Sequence, residues 1–344
     1  MPRHTLPDGT TLNYDLWGLR HKPRVLVLVG LGNTINSLMF LQRELIRHFH
    51  CLVFEHRGTG SSSGPDPSWP TPTMEVFAND AWQLVQAMGW QSCSVMGLSF
   101  GGLVAQEFML AHSAFVDKVL LVCAGPGYKG EDEMHRTQDM PAEQRLKTFL
   151  MVSDTRRDED WFESEGGRMA MELMRRNANT GSDAGRRYQM AARADFSLAR
   201  RLGLPAEAPA KPPPAATNGG GSTQQAEERQ LLSKEEEEAP RLTPADTAGA
   251  QLGPRTLCLW AVYDGLADIN VVVDLQKMLP GASLCLFDSA HWPILAQEDP
   301  ESFNATVVSW LEGRGVPPEV AERSDNLASE WLPGASICSQ CTVL

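Results

Sequence analysis

The sequence predicts an α/β fold with a mostly parallel central sheet and helices on both of its faces. The first observation is a set of short apolar runs that are nearly continuous, as strands buried on both faces of a parallel sheet require. The second is that amphipathic stretches separate these runs, and such alternation is typical of layered α/β proteins. The apolar runs span residues 24–29, 51–54, 93–96, 119–123, 256–260 and 283–287, and the helical stretches span 75–88, 100–112 and 274–279.

Length and composition are those of a globular protein. The chain has 344 residues, of which 42% are hydrophobic and 21% charged. Asp and Glu outnumber Lys and Arg by 43 to 30, and an acidic surface repels phosphate backbones, so we expect no nucleic-acid partner. No apolar run approaches the ~20 residues that span a bilayer, and the first residues do not form a secretory signal. Five of the seven cysteines lie in apolar runs, which favours reduced core thiols in a cytoplasmic protein.

Two regions interrupt the alternation of strands and helices. Residues 128–204 contain no buried-strand run but do contain helical segments such as 167–176, so we expect a helical cap inserted into the sheet domain. That sheet domain, which is discontinuous, comprises 1–127 and 252–314. Residues 205–251 hold a low-complexity segment with too few apolar side chains to offset the entropy of ordering, and we expect it to be disordered. A tolerated surface insertion is the favoured interpretation of this segment, and a regulatory or docking role is the alternative.

A serine on a tight turn is the sharpest local signal. Gly97, Ser99 and Gly101 form the pattern G-x-S-x-G, directly after a predicted strand and directly before a predicted helix. Such a turn projects the hydroxyl into a cleft, and the glycines leave room where the backbone is crowded. The pattern alone is weak, because Gly and Ser are common in turns, but its position between strand and helix predicts that Ser99 is a catalytic nucleophile.

A serine nucleophile needs a base and an acid that orients the base. Among the eight histidines only His291 follows a late predicted strand, on a loop from which its imidazole can reach Ser99. Two carboxylates, Asp264 and Asp268, follow the preceding strand. Asp264 follows that strand more closely and is the preferred acid. Asp268 is the alternative acid, and each carboxylate also suits a turn or a helix cap.

The turn after the first long strand, residues 29–34, contains two glycines that let the backbone approach a ligand closely. We expect the backbone N–H groups of Leu31 and Phe100 to bind the oxyanion that forms during acyl transfer. A dinucleotide site is the competing interpretation. It is disfavoured, because Ile35 stands where the third glycine of G-x-G-x-x-G belongs.

These motifs, in this order, resemble the α/β-hydrolase fold superfamily, in the branch of small esterases and proline iminopeptidase-like enzymes. The matching segments are VLVLVGLGNT, EHRGTGSS, GLSFGG, LWAVYDGLAD and DSAHWP, and the resemblance covers roughly residues 8–203 and 252–312. It implies that Ser99, Asp264 and His291 take the positions of nucleophile, acid and base.

The sequence departs from the family pattern at three positions. Val29 stands where the family usually has the His of the oxyanion turn, Glu55 stands where it has the Asp that opens R-G-x-G, and Ala261 replaces a Gly at the end of the acid strand. None of these departures removes a catalytic group. The change at Val29 affects the loop that is expected to bind the oxyanion.

The last residues fit a lipidation signal. We expect a flexible tail over 315–344, in which Cys341 opens a C-a-a-X box whose terminal Leu favours geranylgeranylation. A single lipid binds membranes only marginally, and the upstream residues are not polybasic, so Cys338 is a candidate for palmitoylation as a second signal. The alternatives are a redox or metal pair formed by the two cysteines and an unmodified tail. A metal pair is disfavoured, because no second cysteine pair completes a four-ligand site.

Together these features predict a cytoplasmic serine hydrolase, tethered to the cytoplasmic face of a membrane if the tail is lipidated. Its partner would be a small-molecule acyl substrate, in the first place an ester, as for a carboxylesterase or a lipase-like enzyme. Amide and thioester cleavage use the same groups. We expect neither a metal nor an organic cofactor. The alternatives are a non-hydrolytic receptor or scaffold on the same fold and an acyltransferase that uses the same triad. The oligomeric state is not predicted.

Overall fold

The computed structural model describes residues 1–127, 137, 140–178, 182–204 and 247–332. Its strands are β1 (Arg3–Thr5), β2 (Thr11–Trp17), β3 (Arg24–Leu28), β4 (His50–Phe54), β5 (Cys93–Leu98), β6 (Val116–Val122), β7 (Thr256–Ala261) and β8 (Ser283–Phe287). They form one sheet in the order β1-β2-β4-β3-β5-β6-β7-β8. Strands β3 to β8 run parallel, while β2 pairs antiparallel with β4 and β1 pairs antiparallel with β2.

The six predicted apolar runs coincide with the six parallel strands, β3 to β8. Every residue of β4, β5, β7 and β8 is buried, because helices cover both faces of the sheet and leave no side of these strands to solvent. The predicted fold class is therefore confirmed.

Strands β1 and β2 have no counterpart among the predicted runs. They form a hairpin whose turn contains Gly9 at a φ of 86°, with the N–H of Thr10 donating to the carboxylate of Asp8. These two strands mix polar and apolar residues and therefore contain no continuous apolar run. The dipeptide Asp8-Gly9 is a hairpin signal that could have found this pair.

Helices lie on both faces of the sheet. One hydrophobic cluster contains Phe77, Phe108 and Leu275, and the cluster on the other face contains Leu45 and Val307. Among the described residues the α-helices are α1 (Met39–His48), α2 (Met74–Ala87), α3 (Phe100–Ala111), α4 (Ala142–Val152), α5 (Glu165–Ala178), α6 (Asp183–Asp195), α7 (Leu198–Arg201), α8 (Ala248–Leu252), α9 (Asn270–Met278), α10 (Ile294–Glu298), α11 (Pro300–Glu312) and α12 (Pro318–Trp331).

Helices α4 to α7, together called the helical insertion below, lie between β6 and β7 in the chain. Leu150, Phe162 and Met171 form a small hydrophobic cluster within it, while α6 buries Ala192 in a cluster of the sheet core. The helical character predicted for this stretch agrees with α4 to α7. The assignment of 128–204 as a separate cap domain stays a prediction.

Two predicted boundaries are wrong. The segment expected to be disordered through residue 251 already includes α8, where the Thr247 side chain caps the N–H of Gly249 and Leu252 is fully buried. Its remaining residues, 205–246, lie outside the described residues. The tail expected to be flexible from 315 instead forms α12, which buries Val320 and Ala328 against the core because its apolar residues recur at helical spacing.

The two candidate lipidation sites, Cys338 and Cys341, lie outside the described residues. Within the described part of the chain, no helix has the combination of length and apolar character that crossing a bilayer requires.

Candidate active site

Ser99 lies between β5 and α3, where the chain turns sharply from strand to helix. Its backbone has a φ of 51°, in the left-handed region that residues with a Cβ rarely adopt. Crowding explains the flanking glycines: a Cβ on Gly97 would lie 2.5 Å from the carbonyl oxygen of Gly101, and a Cβ on Gly101 would lie 2.1 Å from that of Leu28. The N–H of Ser99 donates to the carbonyl of Val122 on the adjacent strand, which fixes the turn to the sheet.

Ser99, His291 and Asp264 form a continuous hydrogen-bonded chain. The distance from Ser99 Oγ to His291 Nε2 is 2.9 Å, and that from His291 Nδ1 to a carboxylate oxygen of Asp264 is 2.7 Å. Asp264 follows β7 and His291 follows β8. The carboxyl ends of parallel strands meet at one edge of a sheet, so side chains that are 192 residues apart in the chain come within contact distance.

The hydrogen bonds around Asp264 determine its orientation. Its Oδ1 accepts from the N–H groups of Leu266 and Ala267, at 2.9 and 3.0 Å, which leaves Oδ2 for the imidazole. An ionised carboxylate only accepts hydrogen bonds, so Nδ1 of His291 carries the proton and Nε2 accepts from the Ser99 hydroxyl. This tautomer is the one that a general base needs.

Asp268, the alternative acid, lies elsewhere. It is exposed just before α9, and its Oδ1 accepts from the backbone N–H and the side-chain amide of Asn270, at 2.7 and 2.8 Å. These contacts are those of a residue that satisfies the free N–H groups at a helix start. The structure therefore joins Asp264 to the imidazole and gives Asp268 a local turn role.

Cys123 also contacts this group, which the sequence interpretation missed. It follows β6 with a φ of 49°, and its sulfur lies within 4.8 Å of ligand atoms of Asp264 and His291. Burial, together with the nearby Asp264 charge, holds the pKa of the thiol well above its usual range. The atoms of Asp264 and His291 that a metal ion would need are already joined to each other and to Ser99 by hydrogen bonds, so the cluster does not fit a metal centre.

The turn that follows β3 lies against Ser99. A Cβ on Gly30 would lie 3.7 Å from that of Ser99, and the N–H of Asn33 closes the turn onto the carbonyl of Gly30 at 3.1 Å. Among the described residues, no backbone acceptor takes the N–H of Leu31 or of Phe100, the first residue of α3. These two donors are the ones that the sequence predicts for an oxyanion, and we call residues 30–33 the oxyanion turn.

The residues after β4 hold the oxyanion turn in place. Nε2 of His56 donates to the carbonyl of Val29 at 3.2 Å, and burial lowers the pKa of this imidazole to about 4, which favours its neutral form. The carboxylate of Glu55 accepts from Asn13 Nδ2 and from the N–H of Ser61, at 3.0 and 2.7 Å. Thus Glu55, where the family usually has Asp, ties strand β2 to the turn that follows β4.

The helical insertion also holds the loop that carries His291. The N–H of His291 donates to the carbonyl of Ser153 at 2.9 Å. Ser289 donates to Glu298 at 2.6 Å, and Arg156 bridges Glu298 to Asp154. The position of the imidazole therefore depends on contacts from the helical insertion and from α10.

Comparison with known proteins gives related sequences and related folds. Part of the chain is 31% identical over 106 residues to the human serine hydrolase-like protein, a match that covers 31% of this chain and 52% of that protein. The chain spans 33% to 52% of the lengths of the human serine hydrolase-like relatives that it matches.

Two solved structures share the fold over most of the chain. The enol-lactonase from Burkholderia xenovorans LB400 has a TM-score of 0.65 at 18% identity, covering 90% of this chain and 100% of that one. The esterase from Exiguobacterium antarcticum has a TM-score of 0.63 at 15% identity, covering 90% and 99%. At these identities the likeness concerns the fold.

The family model of the alpha/beta hydrolase fold matches residues 23–297, from β3 to α10. This range contains the turn with Ser99 and the loops with Asp264 and His291. The chain belongs to the α/β-hydrolase family.

Proposed function

We propose that the protein is a serine hydrolase that cleaves acyl esters through an acyl-enzyme formed on Ser99. The single observation that carries this proposal is the chain of hydrogen bonds from Ser99 through His291 to Asp264, with distances of 2.9 and 2.7 Å. A hydroxyl that is hydrogen-bonded to the unprotonated nitrogen of an oriented imidazole is activated for attack on a carbonyl carbon.

In the first half of the reaction, Nε2 of His291 takes the Ser99 proton while Oγ attacks the ester carbonyl. The tetrahedral intermediate places negative charge on the former carbonyl oxygen, and the N–H groups of Leu31 and Phe100 stabilise it. Phe100 contributes as the first residue of α3, where N–H groups lack partners within the helix. His291 then donates its proton to the departing alkoxide, and the acyl-enzyme remains.

In the second half, water takes the place of the alcohol. His291 removes a proton from the water, hydroxide attacks the acyl carbon, and the proton returns to Ser99 Oγ as the carboxylic acid leaves. Asp264 keeps the imidazole in the required tautomer and stabilises its positive charge in both halves. The side chains of Ser99, His291 and Asp264 and the backbone N–H groups of Leu31 and Phe100 carry out these steps.

Esters are the proposed substrate class, because their leaving group needs little help. An ester carbonyl is stabilised less by resonance than an amide carbonyl is, and an alkoxide leaves more readily than an amide anion, so an ester makes smaller demands on the same groups. The name of the human relative, serine hydrolase-like protein, is consistent with the proposed nucleophile. Cleavage of amides and thioesters by the same groups is an outcome that a substrate screen would reveal.

Turnover of short-chain p-nitrophenyl esters by wild type and by Ser99→Ala tests the proposal. We expect kcat/KM to fall by at least about 10³-fold in the variant, because no other described group holds the nucleophile's place. The Tm should stay within about 3 °C, since the hydroxyl makes a single hydrogen bond to the protein. Ester turnover by Ser99→Ala within tenfold of wild type would contradict the assignment of the nucleophile.

A further inference from the structure

A glutamine from the helical insertion contacts the oxyanion turn. Gln189, on α6, is fully buried, and its Oε1 accepts a hydrogen bond from the N–H of Gly32 at 2.9 Å. Its Nε2 donates to the carbonyl of Arg57 at 3.2 Å and to Oγ1 of Thr59 at 2.7 Å. One side chain thus joins the turn after β3, the turn after β4 and a helix 157 residues further along the chain.

Two glycines let α6 approach closely enough for these bonds. A Cβ on Gly185 would lie 2.0 Å from the carbonyl oxygen of Gly58, and a Cβ on Gly58 would lie 2.7 Å from the Cα of Gly185. The two backbones are therefore in direct contact. Gly185 and Gln189 are four residues apart, on the same face of α6, so the glycine contact points the glutamine at the oxyanion turn.

The bond from Gln189 acts on the peptide next to the proposed oxyanion donor. Gly32 has a φ of 64°, which is typical of the third residue of a type II turn, and the N–H of Asn33 closes that turn. On the other side, His56 holds the carbonyl of Val29. The N–H of Leu31 thus lies between two peptides that are each fixed by a buried side chain.

We propose that Gln189 is a positioning residue for the oxyanion hole: it fixes the Leu31–Gly32 peptide and thereby aims the N–H of Leu31. This role rests on the function proposed above. It makes the efficiency of acylation depend on how α6 of the helical insertion is seated on the turns after β3 and β4. Because donors aimed at developing charge act mainly in the transition state, the effect belongs to kcat and to acylation rather than to substrate binding.

The test compares acylation by an ester and by a fluorophosphonate in wild type, Gln189→Met and Thr59→Val. Methionine keeps the length of the side chain but neither accepts from Gly32 nor donates to Thr59. We expect Gln189→Met to lower kcat and the rate of labelling by roughly tenfold to a hundredfold, since misplacing one donor by an ångström has effects of this size, with KM changed less than threefold. Thr59→Val removes one anchor of Gln189, and we expect a smaller loss of the same kind.

The double variant supplies the sharper measurement. If Thr59 acts through Gln189, adding Thr59→Val to Gln189→Met should slow labelling no further, whereas independent effects would multiply. If Gln189→Met does not fold, Thr59→Val alone still tests the proposal, because valine has nearly the shape of threonine and the variant is therefore expected to fold.

Tyr188→Phe is the matched control. Tyr188 precedes Gln189 on α6 and donates to the carbonyl of Pro70 at 2.8 Å, so Tyr188→Phe removes a bond between α6 and the exposed segment before α2 that does not involve the oxyanion turn. Labelling of Tyr188→Phe at the wild-type rate supports the proposal. Equal slowing of Tyr188→Phe and Gln189→Met, or no slowing of Gln189→Met, overturns it. Absence of labelling in folded wild type overturns the proposed function itself, together with this role.

Discussion

The proximity of Ser99, His291 and Asp264 was predictable from the sequence because each follows a recognisable buried strand. A strand that is buried on both faces is nearly continuous in apolar residues, so its end is easy to locate, and side chains just beyond such ends meet at one edge of the sheet. The sequence favours Asp264 over Asp268 because Asp264 follows β7 more closely, but it leaves Asp268 open as the alternative acid. The structure separates them by orientation, because Oδ2 of Asp264 faces the imidazole.

Replacing each carboxylate in turn tests the assignment of Asp264, rather than Asp268, as the acid. Asp264→Asn should lower kcat by on the order of 10³–10⁴-fold, because an amide that donates to Nδ1 would favour the wrong tautomer of His291. Asp268→Asn should leave kcat within about threefold, since asparagine also caps helices. Steady-state ester turnover measures both variants, and a larger loss in Asp268→Asn than in Asp264→Asn would reverse the assignment of the acid.

A buried histidine makes stability depend on pH. Burial lowers the pKa of His56 from 6.5 to about 4, so the folded imidazole stays neutral at pH values where the unfolded one takes a proton. Between pH 6.5 and pH 4 the unfolded state therefore binds more protons, and the free energy of unfolding rises with pH. The contribution of the neutral His56 to the free energy of unfolding is fully present above pH 6.5. Acidification through pH 4 lowers this free energy by about 3 kcal/mol in total.

His56→Phe removes this titration while keeping a ring among Phe54, Phe77 and Phe100, which contact the imidazole edge to face. Between pH 7 and pH 4.5 the variant should lose about 2 kcal/mol less free energy of unfolding than wild type does. Urea denaturation at the two pH values gives both differences. The same pH dependence in the two proteins would show that burial does not hold this histidine neutral.

At the scale of helices and strands, the parallel strands were predictable and the edges of the sheet were not. Strand β2 interrupts its apolar residues with Asn13, which is buried and hydrogen-bonded to Glu55, and with the half-buried Asp15, so it does not form a continuous apolar run. Helix α12 lies in the segment that was expected to be a flexible tail. Its structural role depends on β8, the edge strand at the opposite end of the sheet, against which it packs.

One side chain of α12 accepts a hydrogen bond from a backbone N–H of β8, at that edge of the sheet. Oγ of Ser324 accepts from the N–H of Leu286 at 2.8 Å, and Ser324 is 1% exposed. Ser324→Ala leaves this buried N–H without its acceptor and should lower the free energy of unfolding by about 1–3 kcal/mol. Ser329→Ala is the control on the same helix, because Ser329 is exposed, and it should change stability by less than about 0.5 kcal/mol. Equal effects of the two substitutions on urea unfolding would contradict the capping role of Ser324.

At the scale of the whole molecule, the contacts that position the site connect parts of the chain that lie far apart. Gln189 reaches Gly32, and His291 is held by Ser153. Neither contact can be predicted from the neighbouring sequence, because a buried glutamine in a helix and a backbone N–H in a loop belong to no periodic pattern and to no motif of fixed spacing. Sequence motifs thus predicted the groups proposed for the chemistry, while the residues that aim them depend on how the helical insertion packs on the sheet.

Labelling with a fluorophosphonate, read by intact mass, tests the central claim most directly. The reagent phosphonylates a serine hydroxyl only where a base activates it, so the account predicts one adduct on wild type and none on Ser99→Ala or His291→Ala. Circular dichroism establishes that each protein is folded. An adduct that persists on Ser99→Ala would place the reactive serine elsewhere, and folded wild type that takes no adduct would contradict an activated Ser99 and favour a receptor or scaffold on this fold.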